Sequence, residues 1–354
     1  MAKILYAVMG DARGHLSRSL SVAQHMPQHE YLFLGGGAVL ELREMGYNVE
    51  EAPMLATYYK EGRVDFGRTV GNAVRTLCSR RSIVARLAAI IEAFDPDLIL
   101  SDYEHFTPLA ARRLGRPCYS LDHQHLLTHC RYAHPPGNTL ARWMTFAPIL
   151  GLYSNATRYL VSSFYQLPPK SDDTEVVPPI LRSLVKNYKP RQEDHALVYF
   201  SGGVYSSLLP YLEGRKQKYH VYGFGQLPER GNLIFRPTST EGFMEDLASC
   251  CYVVSNGGHS LISEALFFGK PIVCIPIHFL YEQILNAHFL AACGFGEYVM
   301  APAAVVGMCE AMEARREEYA ERIKAQDFWG NDCIATRLQE LIEAGRGGNA
   351  ALGQ

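Results

Sequence analysis

The sequence predicts an α/β chain of two Rossmann-like domains. Short apolar runs alternate with helical stretches from the first residues, the alternation breaks once near the middle, and it then starts again. The first series puts strands at residues 4–9, 31–34, 98–101, 117–121 and 159–164. The second puts them at 196–200, 219–224, 233–235, 252–255 and 272–275. Runs this short and this apolar suit strands of a parallel sheet buried on both faces, with helices as crossovers. Between the series lie VVPPILR at 176–182 and the polar NYKPRQED at 187–194, the composition of an interdomain linker. The expected domains are therefore 1–187 and 188–328, followed by a helix and tail over 329–354. There the helical pattern of 307–344 is interrupted at Trp329 and Gly330, and Asn331 or Asp332 would cap the last helix.

Composition removes several function classes. A chain of 354 residues that is 48% hydrophobic and 20% charged can bury two cores. Its 34 Lys and Arg against 36 Asp and Glu give no basic face, so nucleic acid is not an expected partner. The first fifteen residues turn polar after one strand-length run, unlike a secretory signal, and no apolar stretch reaches spanning length. Nine cysteines, an odd number without CxxC spacing, suit a reducing compartment and point to a cytoplasmic location. Residues 140–152 are apolar apart from Arg142 and Thr145. A buried or half-buried helix is expected there, and peripheral contact with the inner membrane face is the alternative.

Two glycine-bearing turns carry the first chemistry. The strand at 196–200 runs into Ser201, Gly202 and Gly203, and the strand at 252–255 runs into Asn256, Gly257, Gly258 and His259 before a helix beginning near Ser260. Glycines let a phosphate approach the backbone, and a helix start offers free N–H groups with partial positive charge. Ser260 and Glu264 are four apart and share a helical face, so a carboxylate lies one turn below the anion site, where ribose hydroxyls would fall. Gly269, Lys270 and Pro271, the strand at 272–275, Pro276, and Glu282 with Gln283 ahead of Asn286 and Ala287 complete the stretch.

Residues 256–287 resemble the donor signature of GT-B glycosyltransferases, with similarity to the N-acetylglucosaminyltransferase of peptidoglycan synthesis and to UDP-glucosyltransferases. Five elements in order over about thirty residues are a specific match, unlike a lone glycine motif. The resemblance implies two Rossmann-like domains facing each other across a cleft, with a C-terminal helix crossing back to the N-terminal domain. It implies diphosphate contacts at Asn256, Gly258, His259 and Ser260, a ribose contact at Glu264, and donor-sugar contacts at Glu282 and Gln283. Phe243 and Met244 match the segment that lies against the base. Ser201, Gly202 and Gly203 match the second phosphate loop, and Arg182 the end of the linker motif.

The N-terminal domain would then hold the acceptor. GDARGH at 10–15 follows the first strand, and the resemblance implies that the His of Gly14-His15 removes the proton of the acceptor hydroxyl, a task suited to imidazole near neutral pH. Asp102, after the strand at 98–101, matches the partner that would fix its tautomer. His15 as a loop-capping imidazole and Asp102 as an ordinary turn residue remain open, with Glu104 and His105 as neighbouring competitors. Many relatives carry proline three residues after the Gly-His. Arg18 stands there instead, which leaves open a phosphate or acidic-acceptor contact alongside Gly14 and Arg182.

Asp122, His123, His125, His129 and His134 could be read as metal ligands, but lining of the acceptor cleft is the better expectation. Asp95 and Asp97, spaced as DxD, precede a strand and suit a turn. A nicotinamide dehydrogenase would need GxGxxG after the first strand, where the chain has GDARGH. The expected activity is metal- and cofactor-independent transfer, with inversion, from a UDP or dTDP sugar to a hydroxyl of a small molecule, glycan or lipid carrier. A nucleotide-sugar 2-epimerase and a non-catalytic nucleotide-sugar-binding protein are the alternatives.

Overall fold

The computed structural model describes residues 1–11, 13–56, 58–60, 63–200, 206–225, 227–237 and 239–352, with backbone only at 59, 60, 63, 64, 66, 206 and 347–352. The chain forms two compact units. One comprises Met1–Tyr132, Phe146–Ser183 and Gly330–Gln354, the other Ala133–Thr145 and Leu184–Trp329. The chain thus passes between units at 183/184 and 329/330, and an excursion at 133–145 groups with the second unit.

The first part of the chain runs β1 (Lys3–Val8), α1 (Arg13–His25), β2 (Glu30–Gly35), β3 (Asn48–Glu51), the short pair β4 (Tyr59–Lys60) and β5 (Arg63–Val64), α2 (Phe66–Cys78), α3 (Arg80–Phe94), β6 (Leu98–Asp102), α4 (Phe106–Arg113), β7 (Tyr119–Asp122), α5 (Leu126–His129) and α6 (Thr139–Pro148). A π-helical turn at Ile149–Tyr153 continues α6, and β8 (Arg158–Ser162) and β9 (Thr174–Val177) follow. Seven of these strands form one parallel sheet in the order β3-β2-β1-β6-β7-β8-β9. The central strands β1 and β6 are buried on both faces apart from Lys3, which is why they read as continuous apolar runs.

The second unit contains β10 (His195–Tyr199), α7 (Leu209–Leu212), β11 (Lys218–Tyr222), β12 (Leu233–Phe235), α8 (Thr240–Ser249), β13 (Val253–Ser255), α9 (His259–Phe267), β14 (Ile272–Cys274), α10 (Tyr281–Ala292), β15 (Gly296–Tyr298) and α11 (Val305–Lys324). Its sheet is parallel in the order β12-β11-β10-β13-β14-β15. Counted within the unit this is 3-2-1-4-5-6, the doubly wound dinucleotide-fold order. The last helix, α12 (Asn331–Leu352), returns to the first unit, where Ile334, Leu338 and Ile342 join the core of Ile4, Tyr6, Leu98 and Leu100.

The expected strand runs are strands. Besides the two-residue β4 and β5, three strands fall outside them: β3, β9 and β15, each at the edge of its sheet. Val176 and Val177, expected as linker, close β9. Residues 140–152 form helix, as expected, but Leu140, Trp143, Met144 and Leu150 point outward while Ala141, Ile149 and Tyr153 are buried. Asn331 does not cap α12 as expected. Its side chain accepts from the Leu181 N–H and donates to the Leu181 carbonyl, both at 2.9 Å.

Candidate functional site

In a doubly wound sheet the crossovers leave to opposite faces on either side of one point, and a crevice opens there beyond the strand ends. In the first unit that point lies between β1 and β6, whose last residues Val8 and Asp102 are register partners. Room at the strand ends depends on close backbone approach at Gly10, where a Cβ would lie 1.8 Å from the Gly36 carbonyl oxygen.

His15, in the first turn of α1 next to half-buried Gly14, reaches Asp102 with Nδ1 to Oδ1 at 2.6 Å. With Nδ1–H donating to Asp102, the neutral imidazole carries its lone pair on Nε2; the Arg18 terminal nitrogen also lies 3.1 Å from Nδ1. Arg18 lies one turn further along the same face. Its Nε donates to Asp102 Oδ2 at 2.8 Å and its terminal nitrogen to Oδ1 at 2.6 Å, a fork across the carboxylate. Burial opposes the Arg18 charge, but Asp102 more than offsets that and raises its pKa. The side chain that the sequence left open for phosphate or acceptor thus bonds Asp102 through two of its three nitrogens.

Glu104 and His105 have other work. The Glu104 carboxylate accepts from the N–H groups of Phe106 at 2.8 Å and Thr107 at 2.6 Å and so caps α4, while the His105 imidazole binds the Leu152 carbonyl. The clustered histidines each have separate partners. His123 meets the Ser162 carbonyl at 2.8 Å, His129 the Thr128 hydroxyl at 2.8 Å, and His134 the Tyr281 hydroxyl at 3.0 Å. His125 Nδ1 lies 2.6 Å from Asp122 Oδ2, which also accepts from Ser120. Burial alone would raise the Asp122 carboxyl, but His125 and these bonds hold it well below the usual range. Asp95, in the left-handed region at φ 47°, ends α3, so the DxD stretch is a turn.

In the second unit the switch point lies between β10 and β13. Ser201, Gly202 and Gly203 lie outside the described residues. After β13 the chain turns at Gly257, φ 84°, where a Cβ would meet the Gln283 carbonyl oxygen at 3.0 Å. Gly258 precedes α9 in extended conformation with no side-chain cap, and a helix N-terminus of this kind favours an anion. Asn256 and His259 are buried beside this turn, and Ser260 is half-buried. Glu264 is buried one turn further into α9.

Glu282 and Gln283 lie in the first turn of α10, both half-buried, and Gln283 Oε1 accepts from the Ile277 N–H at 3.1 Å. Asn286 Nδ2 donates to the Gly257 carbonyl at 3.2 Å, tying α10 to the turn. Sequence reasoning gave Asn286 no role. Its three-residue spacing from Gln283, which puts both on one helical face, is the signal that could have found it.

Phe243, half-buried on α8, packs edge-on against Tyr199 at 5.4 Å and Tyr222 at 5.1 Å, at the ends of β10 and β11. Met244 is fully buried, so Phe243 is the member of the pair a ligand can reach. Arg182, half-buried, follows the Leu181 backbone groups held by Asn331.

Among the described residues, His195, His220 and Asp246 form a group with metal-ligand spacing. The two imidazoles are stacked at 4.0 Å and 12°, so no point at bonding distance lies in both ring planes. Asp246 Oδ2 is engaged by Tyr222 at 2.7 Å and His220 at 2.9 Å, with Arg236 3.5 Å away. This network braces α8.

Residues 2–307 match the family model for glycosyl transferase family 1. The chain belongs to that family. The glycosyltransferase is 26% identical over 329 residues to an uncharacterized glycosyltransferase of Methanosarcina acetivorans, covering 83% of each chain. It is also 26% identical over 196 residues to the UDP-N-acetylglucosamine–N-acetylmuramyl-(pentapeptide) pyrophosphoryl-undecaprenol N-acetylglucosamine transferase of Brucella anthropi, covering 48% of this chain and 52% of that one. Among solved structures, a UDP-glucosyltransferase from Polygonum tinctorium superposes with a TM-score of 0.65 at 13% identity, over 97% of this glycosyltransferase and 98% of that chain. The two parallel sheets with interleaved helices are the GT-B fold. No helix among the described residues is long and apolar enough to cross a membrane.

Proposed function

We propose that this glycosyltransferase transfers a sugar from a UDP or dTDP sugar to an acceptor hydroxyl by direct displacement with inversion, using His15 as general base. The observation that carries the proposal is the 2.6 Å bond from His15 Nδ1 to buried Asp102 at the switch point of the first sheet. That bond leaves Nε2 free to take the acceptor proton as the hydroxyl attacks the anomeric carbon. Asp102 then stabilises the imidazolium.

The donor diphosphate binds at the first turn of α9, with Asn256, Gly258, His259 and Ser260 around it. As the glycosidic bond breaks, the leaving diphosphate gains charge, and the α9 N–H groups and helix dipole stabilise that charge without a metal. Glu264 takes the ribose hydroxyls, Phe243 the base, and Glu282 with Gln283 the sugar. The Brucella relative carries UDP-N-acetylglucosamine in its name, so UDP is the first nucleotide to try.

The site works in a cytoplasmic setting, consistent with nine free cysteines, and next to a membrane surface. The exposed Leu140, Trp143, Met144 and Leu150 of the 140–152 stretch support the membrane contact, and so does helix α2. It exposes Val70 and Val74 beside Arg68 and Arg75, with Arg80 and Arg81 following, and there is no acidic residue from 66 to 91. The apolar face and positive charge suit an anionic bilayer. Co-sedimentation with phosphatidylglycerol vesicles but not phosphatidylcholine vesicles is expected, and equal behaviour with both would count against it.

A melting-temperature screen tests the donor reading. UDP or dTDP at a hundred times its dissociation constant should raise the melting temperature by roughly 5–10 °C, and GDP should do less. No response to either pyrimidine diphosphate would remove the donor assignment.

A further inference from the structure

The residue after Asp102 has an unusual backbone. Among the described residues only Asp95, Tyr103 and Phe279 have positive φ without being glycine, and Tyr103 has φ 53°. That region is unfavourable for a bulky aromatic and persists only where neighbouring bonds over-determine it. They do so here. The Asp102 carbonyl accepts from the Met9 N–H at 3.0 Å and its carboxylate is held by His15 and Arg18. On the other side Glu104 caps α4, and the His105 imidazole is bound to the Leu152 carbonyl.

The conformation aims the Tyr103 ring at His15. The two rings are nearly parallel, 7° apart with centroids at 5.8 Å. The opposite support is Tyr153, stacked on Tyr103 at 4.0 Å and 13°, while His125 meets the Tyr103 ring edge-on at 6.3 Å. Tyr153 itself ends the π-helical turn, a rare geometry that recurs at functional sites. The Leu152 carbonyl in that turn accepts from both His105 and the Asn155 side chain. Two uncommon backbone features therefore converge on one aromatic stack against one histidine.

We propose that Tyr103, backed by Tyr153, is a positioning residue for His15. The Asp102 bond fixes one edge of the imidazole but lets the ring swing about the Nδ1···Oδ1 line. A parallel aromatic face stops that swing and sets the direction of the Nε2 lone pair, where small misplacements are costly in rate. The proposal rests on the reading of His15 as base, but its first test does not.

In protein labelled with 13C at the histidine Cε1, with His15 assigned through H15Q, Y103F should leave the His15 signal in place and Y103L should shift and broaden it. Y153L should do so less. An unchanged His15 signal in Y103L overturns the proposal. In turnover, with hydrolysis of UDP-N-acetylglucosamine or UDP-glucose as the probe reaction, Y103L and Y103G should both lower kcat at least about tenfold with donor KM within about twofold, and Y103F should stay within about threefold. Y103G relieves the left-handed backbone, so it separates loss of the ring from a folding defect. If Y103G keeps wild-type kcat, the ring does not act on His15. If the wild type turns over neither of these donors nor dTDP-glucose while the His15 signal still responds, the base reading fails and the positioning stands.

Discussion

Replacing Arg18 by Met removes the guanidinium whose fork spans both oxygens of Asp102. Arg18 is 6% exposed and Asp102 fully buried, so the carboxylate would keep its burial and lose its cation. Breaking a buried pair from one side costs about 3–5 kcal/mol, a large share of the roughly 5–15 kcal/mol that holds a domain folded. R18K should be intermediate, because an ammonium keeps the charge but cannot span both oxygens. The double variant R18M/D102N should be less destabilised than the sum of its parts by at least about 1 kcal/mol, since both act on one interaction. Tryptophan fluorescence would miss the effect, because Trp143 and Trp329 both belong to the second unit. Urea unfolding should be followed by far-UV circular dichroism, with hydrogen exchange of α1 as the local probe. A loss under about 1 kcal/mol together with a raised substrate KM would refute the argument and return Arg18 to the substrate-contact role its sequence position suggested.

Three further outcomes follow from the same geometry. G257A should weaken UDP binding at least about tenfold in calorimetry, because φ 84° and a 3.0 Å approach to the Gln283 carbonyl leave no place for a methyl without moving the turn. N331A strips the side-chain partners from two buried backbone groups of Leu181, at about 1–3 kcal/mol each, and should lower the melting temperature by roughly 5–10 °C. His129 is pushed down from 6.5 to about 4, by burial first and by His125 second. Between those values the unfolded chain binds a proton that the folded one refuses, so stability falls as pH drops from about 6.5 to 4, by about 2 kcal/mol once solvent screening is allowed for. H129F should flatten that part of the melting-temperature profile, and an unchanged slope would remove His129 as its source.

The buried strands were legible because parallel strands covered on both faces must be apolar throughout, as in the runs that became β1, β6, β10 and β13. The strands that escaped, β3, β9 and β15, are short sheet edges. β3 reads Asn48, Val49, Glu50, Glu51 and is exposed apart from half-buried Val49, so it shows neither an apolar run nor alternation. The turn at 256–259 was visible because its constraints are local, a glycine in the left-handed region and a helix start within four residues. Apolar composition placed a helix at 140–152 but could not say which face it buries, and Leu140, Trp143, Met144 and Leu150 prove to face outward. The fork of Arg18 on Asp102 and the clasp of Asn331 on Leu181 join residues 84 and 150 positions apart, so neither leaves a periodic trace. The same holds for Tyr103, whose role depends on a π-helical turn fifty residues downstream.

In the proposed reaction the donor is held at the start of α9 and the acceptor proton is taken by His15. The most direct measurement is UDP affinity and sugar transfer in H15A, with donor hydrolysis standing in for transfer until an acceptor is known. UDP affinity within about twofold of wild type and turnover down at least about a hundredfold is the predicted result. Turnover close to wild type, or affinity and turnover falling together, would contradict the assignment of His15 as the base.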